Sequence, residues 1–597
     1  MRWWGGQNYF YLGRANTDLS PGVSTAKTEL ARGVIGLDGN FTVLPGREWR
    51  FEASFNYGRS KTTSRNPEVN QINFLNALNA TRDASGNIVC APGYTNSPAA
   101  TISSTCAPLN LFGQQISSAA RDYVTTIATP SSVNEQYDGI VSISGPLFKL
   151  PGGDVAFALG YEHRQESSRF NPGTFYFGSP DPDPTRDSNG DGDPTNDRGS
   201  YGRSTPIDPV SGKFNTDEIF GELNASIISA ENDVPFIHEL SIQTAGRYVW
   251  NSLAGGDPTY TLGGRYAPIR DLTFRGAYTR AIRAPAITEA FNPTSTSFVF
   301  AVDVCDQDQR GNGPAPATRA ANCTAAGLPA NFTALSSQRS FPGYVFGNPN
   351  LRNEKSDSYT VGAILTPRFL PGLSATVDYV DITLKDAISQ FSTDQVVAAC
   401  YDSTSYPTNP FCSLITRDGT GQLSLVGTSY FNSAQLRYKG ILADIAYRFR
   451  TPWLGAESGM SASVSYQYLD TLTTQVTAGD EPTITDNSIG YSRHKGVATV
   501  TYDNPSFSYQ IQAAYVGSAN IANNIPANYY PFNRVNPVVF VNTAATLRVA
   551  QQFNLRLSVD NLFDQAPPYP YPASGGTTTY FRGILGRYFR VGAAVHF

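Results

Sequence analysis

The sequence predicts an all-β protein, folded as a large antiparallel transmembrane β-barrel of about 18 strands with long extracellular loops. Three observations support this prediction. Apolar and polar residues alternate along many segments of about ten residues. Aromatic residues make up 12% of the chain and charged residues only 16%, which is aromatic-rich and charge-poor for a soluble protein. The connections between these segments are of two lengths, and short and long ones alternate along the chain.

The alternating segments are the predicted strands. An early one places Trp49, Phe51 and Phe55 on one face and Arg50 and Glu52 on the other. The pattern returns over 155–162, 460–468 and 553–560, and then over 589–597, where the chain ends on Phe. A soluble sandwich also alternates, but here Tyr, Phe and Trp gather near the ends of the apolar face. That placement is typical of the aromatic girdles of membrane barrels.

The connections predict which side of the membrane each strand end faces. Short turns are expected at 44–46, 149–153, 367–371, 503–505 and 550–552. Long loops are expected at 61–134, 171–213, 286–354, 389–427, 521–537 and 568–579. Because such barrels carry their long loops outside the cell, an even number of strands returns the C-terminus to the periplasmic side.

Composition and motifs argue against several functions. A net charge of -5 and a pI near 5.6 argue against a nucleic-acid partner. The chain has no run of about 18 apolar residues, so no transmembrane helix is predicted. Its 4 histidines lie far apart, and no G-x-S-x-G, P-loop or H-E-x-x-H motif occurs. The sequence therefore does not predict an enzyme.

The six cysteines fall into three close pairs, each in a stretch rich in small and turn-forming residues. The pairs are Cys90 and Cys106, Cys305 and Cys323, and Cys400 and Cys412. Six cysteines allow many connectivities, of which local pairing is the simplest because each bridge closes a short loop. Such bridges imply an oxidising compartment, the periplasm or the cell surface. The alternative is six free or metal-binding thiols, although no C-x-x-C occurs.

One acidic stretch resembles part of a calcium loop. Residues 187–193 read DSNGDGD and match the opening D-x-[DN]-x-[DN]-G, in which oxygen ligands two residues apart wrap a hard cation. The candidate ligands are Asp187, Asn189, Asp191, Asp193 and Asp197. The twelfth position is Arg198 instead of Glu, so a structural Ca²⁺ site and a solvated acidic loop tip are both open. No other cofactor is predicted.

Two regions supply candidate ligand-binding residues. Arg280 and Arg283 lie at the end of an arginine-rich strand, where they could hold an anionic ligand or pair with carboxylates across the lumen. Tyr529 and Tyr530 lie in a late loop rich in Tyr and Asn, a composition suited to ligand capture at the mouth. Packing on neighbouring loops is the alternative for the tyrosines.

Four stretches, in order, resemble the C-terminal β-barrel of TonB-dependent outer-membrane receptors. They are FRGAYTRAIRAPAITEAF from Phe274 to Phe291, GNPNLRNE from Gly347 to Glu354 with Tyr359 to Gly362, VDNLFD from Val559 to Asp564, and the terminal strand. Earlier segments, CAPLNLFG at 106–113 and GYEHR at 160–164, resemble the large receptors of alphaproteobacteria. The resemblance implies a protein of the Gram-negative outer membrane, with Phe597 as the signal that the assembly machinery reads.

The family resemblance also implies a barrel of up to 22 strands, a plug domain and a TonB box that couples to the TonB complex. We expect residues 1–597 to form this barrel in an N-terminally incomplete form. MRWWGGQNYF is not a signal peptide, and no plug precedes the first strands. The TonB complex would then act only through a plug that is not part of this chain.

Three functional hypotheses follow. The first is TonB-energised uptake of a scarce ligand of the siderophore, saccharide or cobalamin class. The second is a plugless barrel that acts as a passive pore or as a surface scaffold. The third is a secreted soluble β-protein that binds carbohydrate. The expected partners are outer-membrane lipid, a small-molecule or oligosaccharide ligand and the assembly machinery, with no nucleic acid.

Overall fold

A computed structural model describes residues 12–19, 22–45, 47–91, 104–113, 115–180, 198–199, 201–202, 206–313, 315–475, 482–523, 530–550, 552–572 and 575–595. Long antiparallel strands dominate it and form one sheet, which we call the wall. The long strands of the wall, β1 to β17, are Thr25–Leu44, Arg47–Val69, Ser131–Leu150, Gly153–Asn171, Val210–Ile228, Glu239–Asn251, Gly255–Ile269, Leu272–Arg283, Glu354–Leu365, Leu373–Gln390, Tyr430–Arg450, Gly459–Gln475, His494–Asp503, Phe507–Val516, Val538–Ala550, Phe553–Asp560 and Tyr588–Val595. The short strands Thr125–Ala128 and Thr483–Ile484 pair with β2 and β12 in the same sheet.

Each wall strand pairs with the strand that follows it in the chain. The pairing is antiparallel throughout, from β1 against β2 to β16 against β17. Within the described residues, β1 and β17 are the two edges of the wall. The prediction of an all-β antiparallel barrel of about 18 strands is confirmed, because the sheet is continuous and its strands have the expected length and order.

The register gives the wall one apolar and one polar face. Val361 lies opposite Tyr379, and both are exposed on the apolar face. The intervening residues, such as Thr360, turn to the polar face. An exposed apolar side chain such as Val361, 63% accessible, is unfavourable in water and favourable against lipid. The alternation that predicted the strands thus also assigns their lipid-facing side.

The connections alternate in length as the sequence predicts, except that residues 252–254 alone join β6 to β7 at the loop end. Tight turns join β1 to β2, β3 to β4, β13 to β14 and β15 to β16. At the opposite end, long loops join β2 to β3, β4 to β5, β8 to β9 and β10 to β11. The loop predicted from residue 61 begins too early: β2 runs on to Val69, because it pairs with β3 as far as Thr63 and then with the short strand Thr125–Ala128.

Short helices and strands lie in the connections. The helices α1 to α8 are Gln71–Leu78, Ser118–Val124, Gly173–Phe177, Ile287–Ala290, Pro316–Ala325, Thr393–Tyr401, Gly576–Thr579 and Phe581–Leu585. Within the described ranges, the 3-10 turns are Ala230–Asn232, Cys412–Leu414 and Pro452–Leu454. The short strands are Ala80–Arg82, Ile88–Cys90, Thr125–Ala128, Ser179–Pro180, Arg198–Gly199, Ser295–Val299, Phe341–Val345, Ile415–Arg417, Leu423–Thr428 and Thr483–Ile484. None of the helices in the described ranges is long and apolar enough to cross a membrane.

Buried apolar cores lie in the loops at one end of the wall. The largest joins the β8–β9 and β10–β11 loops around Phe391, Val396 and Val426. A second surrounds Tyr580 and Phe540, and a third packs Leu19 against α1 and α2. The long loops are therefore packed structures in their own right, which gives the mouth of the wall a defined shape.

Candidate functional site

A network of charged side chains crosses the polar face of β4, β5 and β6. Nη1 of Arg247 donates to Oε2 of Glu162 at 3.2 Å and also to Glu218. Nη2 of Arg164 donates to Oε1 of Glu218 at 3.4 Å, and the side chain of Glu218 is buried. The alternation of the strands turns all four side chains inward, where each charge is compensated by a neighbour.

A cavity of about 570 Å³ opens next to this network. Its wall comes from β4 to β8 and from the segment 284–286 that leaves β8. Glu218, Arg247, Thr261 and Thr279 line it with carboxylate, guanidinium and hydroxyl groups. These groups can donate and accept hydrogen bonds, and Phe214, Phe220 and Val249 add apolar surface, so the cavity suits a ligand with polar groups.

The structure places the two predicted arginines in different surroundings. Arg283 makes two hydrogen bonds to Glu354, at 2.6 and 2.8 Å, and two to Glu289, both at 3.0 Å. These bonds connect β8 to β9 and to α4. Arg283 therefore pairs with carboxylates, which was the alternative to ligand binding in the sequence analysis. Arg280 borders the cavity at the end of β8, but the alternation of β8 turns its side chain to the face of Tyr278, away from Thr279. The carboxylate of Asp357 lies 4.0 Å from Arg280. A role of Arg280 in ligand binding stays a prediction.

A compact unit covers the mouth, and we call it the loop domain: residues 287–353 and 391–429. Four short strands, 295–299, 341–345, 423–428 and 415–417, form a small sheet next to α5 and α6. Pro316 occupies the first turn of α5, and Ser392 and Gln395 form a capping box at the start of α6. These local signals explain why helices form inside loops that carry no helical periodicity.

Three disulfides close the loops as local pairing predicts: Cys305–Cys323, Cys400–Cys412 and Cys90–Cys106. The first two lie in the loop domain and the third in the β2–β3 loop. All six cysteines are therefore in disulfides, and the alternative of free or metal-binding thiols is wrong. Among the residues that the structure describes, no group of three or more His, Cys, Asp or Glu is arranged to hold a metal ion.

Two bidentate ion pairs lie inside the loop domain. Arg417 donates to both carboxylate oxygens of Asp303, at 2.6 and 2.8 Å, and the side chain of Asp303 is fully buried. Arg319 binds Asp402 in the same way, with both distances 2.6 Å. Burial by itself would lower the pKa of Arg417, but the pairing with Asp303 outweighs it and holds that pKa above its ordinary value. The loop domain thus keeps the guanidinium of Arg417 charged.

Tyr530 does not line the cavity. Tyr530 lies in the β14–β15 loop and is partly exposed. Tyr529, Phe597 and the calcium-loop residues Asp187, Asn189, Asp191, Asp193 and Asp197 lie outside the described residues. Their roles in ligand capture, assembly and Ca²⁺ binding stay predictions.

Sequence reasoning missed the residues of the charged network and of the loop domain. Glu162, Arg164, Glu218 and Arg247 each sit at a polar position of an alternating strand, which was a usable signal. Their proximity depends on the register of β4, β5 and β6, which sequence alone does not supply.

These features define the class of outer-membrane β-barrel receptors. The wall has one lipid-facing side, a polar cavity lies on its other side, and disulfide-bonded loops lie at one end. In a comparison with protein families, the family model described as "TonB dependent receptor-like, beta-barrel" matches residues 2–562. The chain therefore belongs to the TonB-dependent receptors, which are outer-membrane transporters and not enzymes.

Several solved receptor structures are similar to this chain in fold. The siderophore receptor PirA from Acinetobacter baumannii shares 12% identity over 98% of this chain and 72% of its own, with a TM-score of 0.52. A mutant of the ferric enterobactin receptor PfeA from Pseudomonas aeruginosa, in complex with enterobactin, shares 13% identity over 97% and 72%, with a TM-score of 0.48. The hemophore receptor HasR from Serratia marcescens, in complex with HasA and heme, shares 13% over 96% and 66%, with a TM-score of 0.48. No curated protein matches the chain significantly in sequence.

Proposed function

We propose that this receptor captures a scarce polar ligand at its loop end and takes it up through the barrel with energy from the TonB complex. The observation that carries the proposal is the cavity of about 570 Å³ lined by hydrogen-bonding and charged groups, with the loop domain at the same end of the wall. A ligand of the siderophore, saccharide or cobalamin class offers the polar groups that such a lining would bind.

The cavity supplies the first test, which is a test of binding. The substitution pair Glu218→Gln and Arg247→Met removes one negative and one positive charge together, so the net charge of the network does not change, although Glu162 loses its hydrogen bond from Arg247. We expect ligand affinity to fall at least tenfold. The matched control is Asp38→Asn with Arg50→Met, an exposed ion pair of 3.1 Å on β1 and β2. Equal losses in both variants would contradict a binding role for the cavity.

The second test separates energised uptake from passive flow. Cells that carry the receptor are given labelled ferric siderophores, heme, cobalamin or an oligosaccharide, with iron carriers first because PirA shares the fold. We expect one class to bind the cells with or without TonB and to accumulate only with TonB. Accumulation that is unchanged by deletion of TonB and by a protonophore would point instead to the passive pore.

A further inference from the structure

The apolar face of β8 to β11 changes character abruptly near the loop end. Exposed apolar side chains cover its middle: Val361, Val377, Ile441 and Ile445. A row of tyrosines closes this apolar region: Tyr278 lies opposite Tyr359, and Tyr379 lies on the next strand. Such a row marks the depth at which a barrel leaves the hydrocarbon and enters the headgroup layer.

Charged residues begin directly beyond the tyrosines. Arg280 lies opposite Asp357 on β8 and β9, and Asp381 lies opposite Lys439 on β10 and β11. Lys385 and Arg437 extend the group toward the loops. We call Lys385, Arg437 and Lys439, together with Arg280, the outer basic patch.

Positive charge exceeds negative charge within this patch. Four cations face two carboxylates, Asp357 and Asp381, in a chain whose net charge is -5. Lys385 also lies directly opposite Lys355, whose ammonium group binds Asp257 at 2.6 Å. Like charges opposite each other destabilise a sheet unless an anion lies close to them.

The ion pairs of the patch are loose. The nitrogen–oxygen distances are 3.9 Å for Lys385 with Asp357, and 3.7 and 3.3 Å for Arg437 and Lys439 with Asp381. By contrast, Nε of Arg275 on the polar face donates to Asp378 at 2.8 Å. The side chains of Lys385 and Arg437 remain 57% and 46% exposed. Their N–H groups are therefore accessible to a further acceptor.

We propose that the outer basic patch binds the phosphate groups of lipid headgroups in the leaflet on the loop side of the membrane. Phosphate is the anion found at this depth, and Lys and Arg are the side chains that bind it. The patch is continuous with the lipid-facing apolar band and lies below the loops. A lipid therefore reaches it first, before a soluble partner could.

Native mass spectrometry tests this proposal on protein purified from outer membranes in a neutral detergent. The probes are dioleoyl phosphatidic acid and dioleoylglycerol, which differ in the phosphate. We expect the triple variant K385Q/R437Q/K439Q to bind phosphatidic acid at least tenfold more weakly than the unmodified protein, with dioleoylglycerol unaffected. The control R368Q/R448Q/R450Q removes the same charge near the tight-turn end of β9 to β11 and is expected to behave like the unmodified protein.

Several outcomes would overturn the proposal. They are an unchanged affinity in the triple variant, an equal loss in the control, or displacement of phosphatidic acid by millimolar inorganic phosphate, which would make free phosphate the ligand. If the triple variant does not fold, the exposed single variant K385Q serves instead, with a smaller expected loss of about threefold. Ligand uptake is expected to be normal in these variants, so this test is independent of the proposed function.

Discussion

At the scale of single residues, oppositely charged side chains pair in two kinds of environment, beside a cavity and inside the loop domain. The network around Glu218 and Arg247 borders a cavity, where its groups are within reach of a ligand. The pair of Asp303 and Arg417 is enclosed in the loop domain and does not line that cavity. A buried pair of this second kind adds little to stability by itself but fixes the geometry around it, because neither partner tolerates the loss of the other.

The substitution Arg417→Met tests whether the loop domain tolerates the loss of one partner of the Asp303–Arg417 pair. The substitution leaves the carboxylate of Asp303, which has no exposed side-chain surface, without a cation and with the backbone N–H of Cys305 as its remaining donor, and we expect about 3–5 kcal/mol of loop-domain stability to be lost. Hydrogen exchange of amides in 295–345 and 391–428 measures the change. Asp303→Asn together with Arg417→Met is expected to recover part of it. Arg352→Gln, in an exposed pair at 3.6 Å, should change exchange by less than about 1 kcal/mol, and an equal effect would refute the argument.

At the scale of elements, the loops depend on covalent links as well as on packing. Cys305–Cys323 closes 18 residues and Cys400–Cys412 closes 12, each next to a helix of the loop domain. Closing a loop of this size restricts the unfolded chain by about 3 kcal/mol in the chain-entropy account. The small sheet of the loop domain has only four short strands, so these links are a large share of its stability.

Limited proteolysis measures that share. Cys305→Ala with Cys323→Ala is expected to raise the rate of cleavage inside the loop domain by about a hundredfold, since about 3 kcal/mol is lost from the closed state. The pair Cys90→Ala and Cys106→Ala is the control, because its bridge lies in the β2–β3 loop. Cleavage of the loop domain that rises equally in both variants would show that the effect is not local.

The elements also show how far sequence reasoning reaches. The wall strands were predictable because a two-residue period persists over many residues, as in the alternation around Phe51 and Phe55. The helix at 393–401 is too short to show a helical period in the sequence. Only its capping residues, Ser392 and Gln395, indicate where it begins. Arg247 and Glu218 meet through strand register, which no pattern within one strand contains.

At the scale of the whole molecule, one face of the wall lies against lipid and the other against polar groups. Val361→Lys puts a charge in the middle of the apolar band, and we expect a loss of about 2–4 kcal/mol. Thr360→Lys, one residue away on the polar face, is the matched control and is expected to cost much less. Urea unfolding from lipid vesicles measures both, and equal losses would contradict the assignment of the faces.

The chain-ordered pairing of the wall also sets an order of assembly. Hairpins joined by tight turns, such as β13 with β14 across 504–506, involve only local contacts and can form early. The pairing of β8 with β9 must close the segment 284–353, and the entropy of closure grows with the logarithm of that length. The Cys305–Cys323 bridge shortens the freely moving part of this segment. Oxidation of the loop before insertion would therefore speed the step that joins the two halves of the wall.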